Sequence, residues 1–298
     1  MAYDFSITSN TLASGRTAYN AQLLNSAEPK FTFAYRTTYL DNFGLFNTSL
    51  NNNLVYKPED YEKEFGFWAY FIYPTAMAES KGSFLCLNTY DRAKFTFTFM
   101  QYAAHVPNGD FVNFFKKLLG LPKAKDYFPK LVLQNNRIFY RNTNGILNAL
   151  ESDLSTQALM DYLNPTLAEI DQQELISAAR FVHWASSDPQ HRKIQVETAV
   201  NMYSENMKEY HDRFGLNAAP AKVCQMICDI RHQGRGKNDR IALALNTKGD
   251  FEKAFSNLCT IGNVNYQSRI TTVRNTISKL VTAGKFNKVY DAKKGTFV

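Results

Sequence analysis

The sequence predicts an α+β fold, predominantly helical, with a small antiparallel sheet inserted early. Three observations carry that expectation. Apolar residues recur at helical spacing from about residue 144 to the end. The segment Phe95-Thr96-Phe97-Thr98-Phe99 alternates strictly between aromatic and hydroxyl side chains. A strand-like patch, Phe31-Thr32-Phe33-Ala34-Tyr35, interrupts a polar N-terminal stretch.

Residues 1–58 are rich in Ser, Thr and Asn, including the run Asn47-Thr48-Ser49-Leu50-Asn51-Asn52-Asn53. They are expected to form an arm packed loosely on a domain spanning 59–298. Pro58-Glu59-Asp60 has the make-up of a helix start, because carboxylates favour the positive end of the helix dipole. Helical signals run through Tyr61, Phe65, Phe67, Trp68 and Tyr70 to Glu79. A kink or break is expected at Pro74, whose nitrogen has no hydrogen to donate. The Phe/Thr alternation then implies a half-buried strand, with three Phe on one face and Thr96 and Thr98 on the other. After Pro107-Asn108-Gly109, a helix starting at Asp110 aligns Phe111, Phe114, Phe115, Leu118 and Leu119 as a core-facing stripe. Leu131-Val132-Leu133 and Arg137-Ile138-Phe139-Tyr140 flank Asn135-Asn136 as a hairpin would. Beyond them, helices are expected over 145–162, 166–185, 190–213, 219–232, 238–246, 249–259 and 266–282. Asn164-Pro165, Asp188-Pro189, Gly215, Pro220 and Gly284 mark their ends.

At 298 residues the chain is long enough to bury a substantial core. Its 45% hydrophobic and 20% charged residues are ordinary for a globular protein. The 17 Tyr and 23 Phe suit packed cores or sugar-stacking surfaces. A net charge of +7 favours an acidic partner such as nucleic acid, an anionic membrane surface or an acidic wall polymer. The basic residues are scattered, apart from Lys285, Lys288, Lys293 and Lys294, which argues against a nucleic-acid arm. The N-terminus has neither the basic nor the apolar region of a secretory signal, and no apolar run is long enough to span a bilayer. Cys86, Cys224, Cys228 and Cys259 do not form the framework of a small secreted domain, so synthesis in a reducing cytoplasm is expected.

Glu79 closes an aromatic helix and is followed directly by a loop and strand carrying Tyr90, Asp91, Thr96 and Thr98. Cleavage of a glycoside needs one carboxyl kept protonated in an apolar wall and a second acid or held water across the bond. Glu79 is the candidate general acid, its aromatic surroundings raising its pKa by disfavouring the charged form. Gln101, Tyr102 and His105 follow the strand and are candidates to line a saccharide groove. Trp68 is expected in the core.

The order Glu79, then Tyr90-Asp91, then Thr96 or Thr98 resembles phage-type lysozymes. The pairing of Glu79-Ser80 with Phe99-Met100-Gln101 is similar to the Glu-Ser and Met-Gln elements of lytic transglycosylases. The matching segment covers roughly residues 60–120. It departs from the family in a longer gap between Glu79 and Asp91, and in Lys94 and Phe residues where glycines usually surround the Thr. The resemblance implies a lysozyme-like fold with the small sheet inserted after the catalytic helix. It also implies a muramidase-like peptidoglycan hydrolase without a cofactor. Asp91 would stabilise the transition state or orient water, and Thr96 or Thr98 would hold that water. Such an enzyme, lacking a signal, would reach the bacterial envelope through delivery machinery, with an immunity protein as a further partner.

Other constellations have structural readings beside the chemical ones. Cys224, Cys228 and His232 share a helix face, but a closed zinc site wants four ligands, so no metal is expected. Arg235, in His232-Gln233-Gly234-Arg235-Gly236, can clamp an acidic substrate group or pair with Asp229 one turn earlier. Cys86 lies in an apolar strand that disfavours a reactive thiolate. Two non-hydrolytic functions compete with the glycosidase: a wall-binding or structural component, and a basic nucleic-acid-binding protein.

Overall fold

The computed structural model describes residues 2–48 and 53–298; the centre of the polar run, 49–52, lies outside them. The chain opens with four strands, β1 (Phe5–Thr11), β2 (Thr17–Leu23), β3 (Phe31–Tyr39) and β4 (Asn42–Phe46). Helices α1 (Glu62–Phe65) and α2 (Phe67–Ser80) precede three two-residue strands, β5 (Leu87–Asn88), β6 (Thr96–Phe97) and β7 (Tyr102–Ala103). Then come α3 (Asp110–Leu119), α4 (Ala124–Tyr127), β8 (Leu131–Gln134), β9 (Arg137–Arg141) and β10 (Leu147–Ala149). The helical part comprises α5 (Gln157–Leu163), α6 (Gln172–Ser187), α7 (Pro189–Phe214), α8 (Ala221–Gln233), α9 (Asn238–Leu245), α10 (Phe251–Leu258) and α11 (Asn263–Thr282). A hairpin of β11 (Tyr290–Asp291) and β12 (Thr296–Phe297) ends it. The α+β class holds, with 45% helix and 18% strand.

Two compact units divide these elements. Unit 1 comprises Met1–Val55 and Ser83–Thr198, and unit 2 comprises Tyr56–Gly82 and Ala199–Val298. The expected division into an arm, 1–58, and one domain, 59–298, does not match these units: residues 83–198 belong with 1–55, and the segment before residue 58 is not a loose arm. Its strands β1 to β4 make most of a seven-stranded antiparallel sheet in sequence order, β1 to β7. The polar composition comes from one-sided burial. Ala18, Ala21, Phe33, Ala34 and Leu45 are buried, while Ser6 and Thr8–Thr11 face water. Gly15, at φ +79°, makes the β1–β2 turn in the left-handed region.

In unit 1 the alternating segment is not half-buried. Phe95, Phe97 and Phe99 are fully buried, and so are Thr96 and Thr98 on the other face. Only Thr96–Phe97 pairs as a strand, since Thr98 turns the chain at φ +94°. Phe181 of α6 is the hub of the aromatic core, with ring centroids 5.1–5.2 Å from Phe95, Phe97, Phe115 and Phe128. The predicted α3 stripe joins it through Phe111 and Phe115. The hairpin around Asn135-Asn136 forms as expected, and Leu147–Ala149 adds a third strand in place of the start of the helix expected over 145–162.

Unit 2 packs helices with the C-terminal hairpin. Phe71 of α2 touches Phe286 and Phe297, and Trp68, expected in the core, is half-buried against Phe71 and Phe297. Pro74 does not break α2, which runs on to Ser80. A proline inside a helix forfeits one hydrogen bond, and dense packing of Ala69, Tyr70, Phe71 and Ile72 compensates.

One buried acid of unit 1 bears on the pH response of the fold. Glu174 of α6 is fully buried. The Thr89 hydroxyl donates to its Oε1 and itself accepts the Leu45 N–H at 2.6 Å. Gly44 permits this approach, since a Cβ there would lie 2.8 Å from Thr89 Oγ1. Burial pushes the Glu174 carboxyl up to about 8, so it keeps its proton at neutral pH. The native state thus binds that proton more tightly than the unfolded chain, whose carboxyl has the ordinary value of 4.5. The resulting stability is fully present below that value and is lost as pH rises through about 8. Glu174→Gln should remove up to ~1.4 kcal/mol per pH unit of that decline. Urea unfolding of both proteins at mildly acidic and mildly alkaline pH measures the difference.

Candidate functional site

Glu79 sits on the last turn of α2, where three helices of unit 2 meet. Its Oε1 lies 2.8 Å from a guanidinium nitrogen of Arg269 on α11 and 3.2 Å from Nε2 of His232 on α8. Arg269 also binds Asp229 Oδ1 at 2.8 Å, and Asp229 Oδ2 accepts from Arg235 at 2.5 Å. Thr75 adds a hydroxyl to Asp229 Oδ1 at 3.0 Å and accepts from Gln225 at 2.9 Å. Burial alone would raise the Glu79 carboxyl, but His232 and Arg269 outweigh it and hold the group below its ordinary value. Burial would lower the His232 imidazole, but Glu79 raises it. Glu79 is therefore an ionised partner in a charge network, the opposite of the protonated acid that its aromatic neighbours suggested. The Arg235 side chain is fully buried against Asp229, so of its two readings the structural one holds and the substrate clamp does not. Cys224 and Cys228 are buried thiols pushed up by burial, and their helix face serves packing.

The remaining expected site residues belong to unit 1. Asp91 is a turn residue whose Oδ1 accepts the Ala93 N–H at 2.9 Å. Thr96 pairs with Asn88 and Ala103 inside the sheet and is buried, out of reach of bulk water. The buried Thr98 hydroxyl accepts from the Met100 N–H at 3.2 Å, within its own turn. Gln101 spends its amide on Cys86 O, Thr98 O and Asn88, and Tyr102 donates to Gln195 O at 3.0 Å from a buried position. Tyr90 packs its ring 5.9 Å from Tyr39. Burial lowers the pKa of His105, and its Nδ1 is buried without a hydrogen-bond partner. Of these, Gln101 and Thr96 tie the short strands β5 to β7 together, while Tyr90 packs on β3 and Tyr102 bonds the backbone of α7. None of them lines the clefts found among the described residues.

A cleft of unit 1 that sequence reasoning missed has the features of a binding site. It measures about 490 Å³, and its lining includes Gln173, Ile176 and Arg180 of α6 with Tyr140, Tyr162 and Lys130. The α6 residues fall at i, i+3 and i+7, so helical spacing alone brings them to one face. Tyr140 and Tyr162 lie 5.7 Å apart between ring centroids, and Lys130 Nζ is 6.0 Å from the Tyr140 ring. Arg180 stands 5.8 Å from the Phe128 ring, and its Nε is buried with no hydrogen-bond partner. Burial lowers the Arg180 pKa and pushes the Tyr162 hydroxyl up to about 12. Two carboxylates also line the cleft. Asp4 is exposed, and Asp161 is engaged by Lys94 at 2.5 Å. Among the described residues Arg180 and Lys130 have no such ion pair. Arg180 interacts with Phe128, Tyr162 and Asp4 but forms no ion pair among the described residues, and a planar cation so placed beside aromatic rings can take a carboxylate or phosphate and stack a ring.

The network around Glu79 carries a stability prediction. Arg269→Ala leaves two buried carboxylates short of a cation and should destabilise the protein by about 3–5 kcal/mol. Glu79 contributes stability above the ordinary carboxylate value and loses it as pH falls through its depressed pKa. The variant should therefore show a shallower loss of stability on acidification, measured by denaturant unfolding across the acid range. Comparison with protein-family models, with curated proteins and with solved structures finds no match to this chain.

Proposed function

We propose that this protein is a binding component that recognises an acidic, ring-bearing saccharide, of the kind an amino-sugar wall polymer such as peptidoglycan presents, through the unit 1 cleft. The observation that carries the reading is Arg180, a guanidinium with a buried, unpartnered Nε in a cleft walled by Tyr140 and Tyr162. Its fork matches a sugar carboxylate, Lys130 supplies a second cation, Gln173 offers an amide for hydroxyls, and the tyrosines offer faces for a pyranose ring. Unit 2 carries 19 Lys and Arg against 13 Asp and Glu, whereas unit 1 has 15 against 14. That excess favours accumulation at an anionic polymer without specifying its sequence or linkage.

Binding is favoured over cleavage because the lysozyme-like reading needs a protonated acid facing substrate. Glu79 is held ionised, Asp161 is held below its ordinary value by Lys94 against the effect of burial, and the protonated Glu174 is fully buried. The lysozyme-like resemblance rests on the order Glu79, Asp91, Thr96 or Thr98, and those residues serve ion pairing, a turn and a packed sheet. One observation keeps a hydrolase as the second reading: Asp4 and Asp161 line the same cleft, as a pair of catalytic carboxylates would.

Sedimentation with purified sacculi and titration with soluble muropeptide test both readings. The wild type should bind without releasing reducing ends, and Arg180→Ala should weaken binding about ten- to a hundredfold, the loss of a charged hydrogen bond of ~1.5–3 kcal/mol. Absence of binding to either ligand contradicts the proposal. Release of fragments that Asp161→Asn abolishes establishes the hydrolase instead.

A further inference from the structure

Strand β1 forms one edge of the seven-stranded sheet, since among the described residues it pairs only with β2. Its register with β2 is unbroken from Phe5↔Leu23 to Thr11↔Thr17. The hydrogen bonds from Leu24 N to Asp4 O and from Leu12 N to Arg16 O fix which residues face β2. In an antiparallel ladder, residues that exchange hydrogen bonds alternate with residues whose backbone groups point the other way. Asp4 and Leu12 face β2, so Ser6, Thr8 and Asn10 do too. The N–H and C=O groups of Ile7, Ser9 and Thr11 therefore point outward, and no partner binds them among the described residues. Ser6 and Thr8–Thr11 are exposed along this edge.

Sheets ordinarily guard such an edge with a charge, a proline, a bulge or a very short strand. The seven residues Phe-Ser-Ile-Thr-Ser-Asn-Thr contain no charge and no proline, and β1 has no bulge. The opposite edge, β7, has the ordinary protection of being two residues long. We infer that β1 is a pairing edge for a second copy of this chain, the two strands meeting antiparallel about a twofold axis at Ser9. The outward residues then match one another. Ile7 pairs with Thr11 of the partner subunit, Ser9 with Ser9 of the partner subunit, and Thr11 with Ile7 of the partner subunit. Each such pair exchanges two backbone hydrogen bonds. The facing side chains are neutral, so no like charges oppose the register, and a second copy meets itself without electrostatic cost. A charged peptide strand gains no complementary charge from this edge, which leaves self-pairing the better matched occupant. The inference is independent of what the cleft binds.

Sedimentation velocity of the full chain, from micromolar to millimolar concentration, tests it together with two variants. The wild type should dimerise reversibly. Ser9→Lys places two ammonium groups face to face on the axis and should weaken the dimer at least about tenfold, while thermal melting shows the exposed position still folded. Ser9→Cys should give a covalent dimer under mild oxidation, undisturbed by the native cysteines, which are all buried. A wild type that stays monomeric throughout, or a dimer that Ser9→Lys leaves unchanged, overturns the assignment.

Discussion

A charge withdrawn from water must meet an opposite charge or give up its ionisation, and the buried titratable groups of this chain divide according to which they do. In unit 2, Glu79 and Asp229 stay ionised because Arg269 reaches both, with His232 and Arg235 completing the set. Glu151 of unit 1 is met by Lys116 at 3.1 Å and Arg137 at 2.9 Å. Glu174 has no cation among the described residues and keeps its proton. His191, fully buried among Phe97, Phe114 and Trp184, is pushed down to about 3 and stays neutral. Arg180 stands apart, as a cation on the wall of a cleft with no such ion pair among the described residues.

That division separates fold from function. The unit 2 network joins α2, α8 and α11, so Glu79, which looked catalytic in the sequence, helps hold a helical unit together, whereas Asp91, Thr96 and Thr98 serve a turn and a packed sheet of unit 1. Breaking such a network exposes uncompensated charge and is strongly destabilising, whereas assembling it yields little net gain over apolar packing. Arg180 has the opposite profile, with no ion pair among the described residues.

Much of the fold was legible in the sequence. The α3 stripe, the Asn135-Asn136 hairpin and the helices from α6 onward follow from apolar spacing and from Asp188-Pro189, Gly215, Pro220 and Gly284 near their ends. The first four strands were less visible because they are buried on one face only. A strand such as Phe5–Thr11, mostly exposed, has the composition of a loop. Pro74 and the 145–156 segment misled through local propensity that tertiary packing overrode. The site was hardly legible at all. An aromatic helix ending in Glu gives the same sequence signal whether the acid faces a groove or an arginine. Arg269, the residue that decides between them, lies far along the chain on another helix. The α6 spacing of Gln173, Ile176 and Arg180 was readable as one face, but nothing in it shows which face opens onto a cleft.

The charge state of Glu79 decides between a structural and a catalytic role, and carbon-detected NMR titration of its side-chain carboxyl reads that state directly. Ion-paired to Arg269 and His232, Glu79 should give a carboxylate signal that persists on acidification until the pH falls below the ordinary glutamate value. A carboxyl that takes up its proton near or above neutral pH would contradict the ion-paired assignment and restore Glu79 as a general acid.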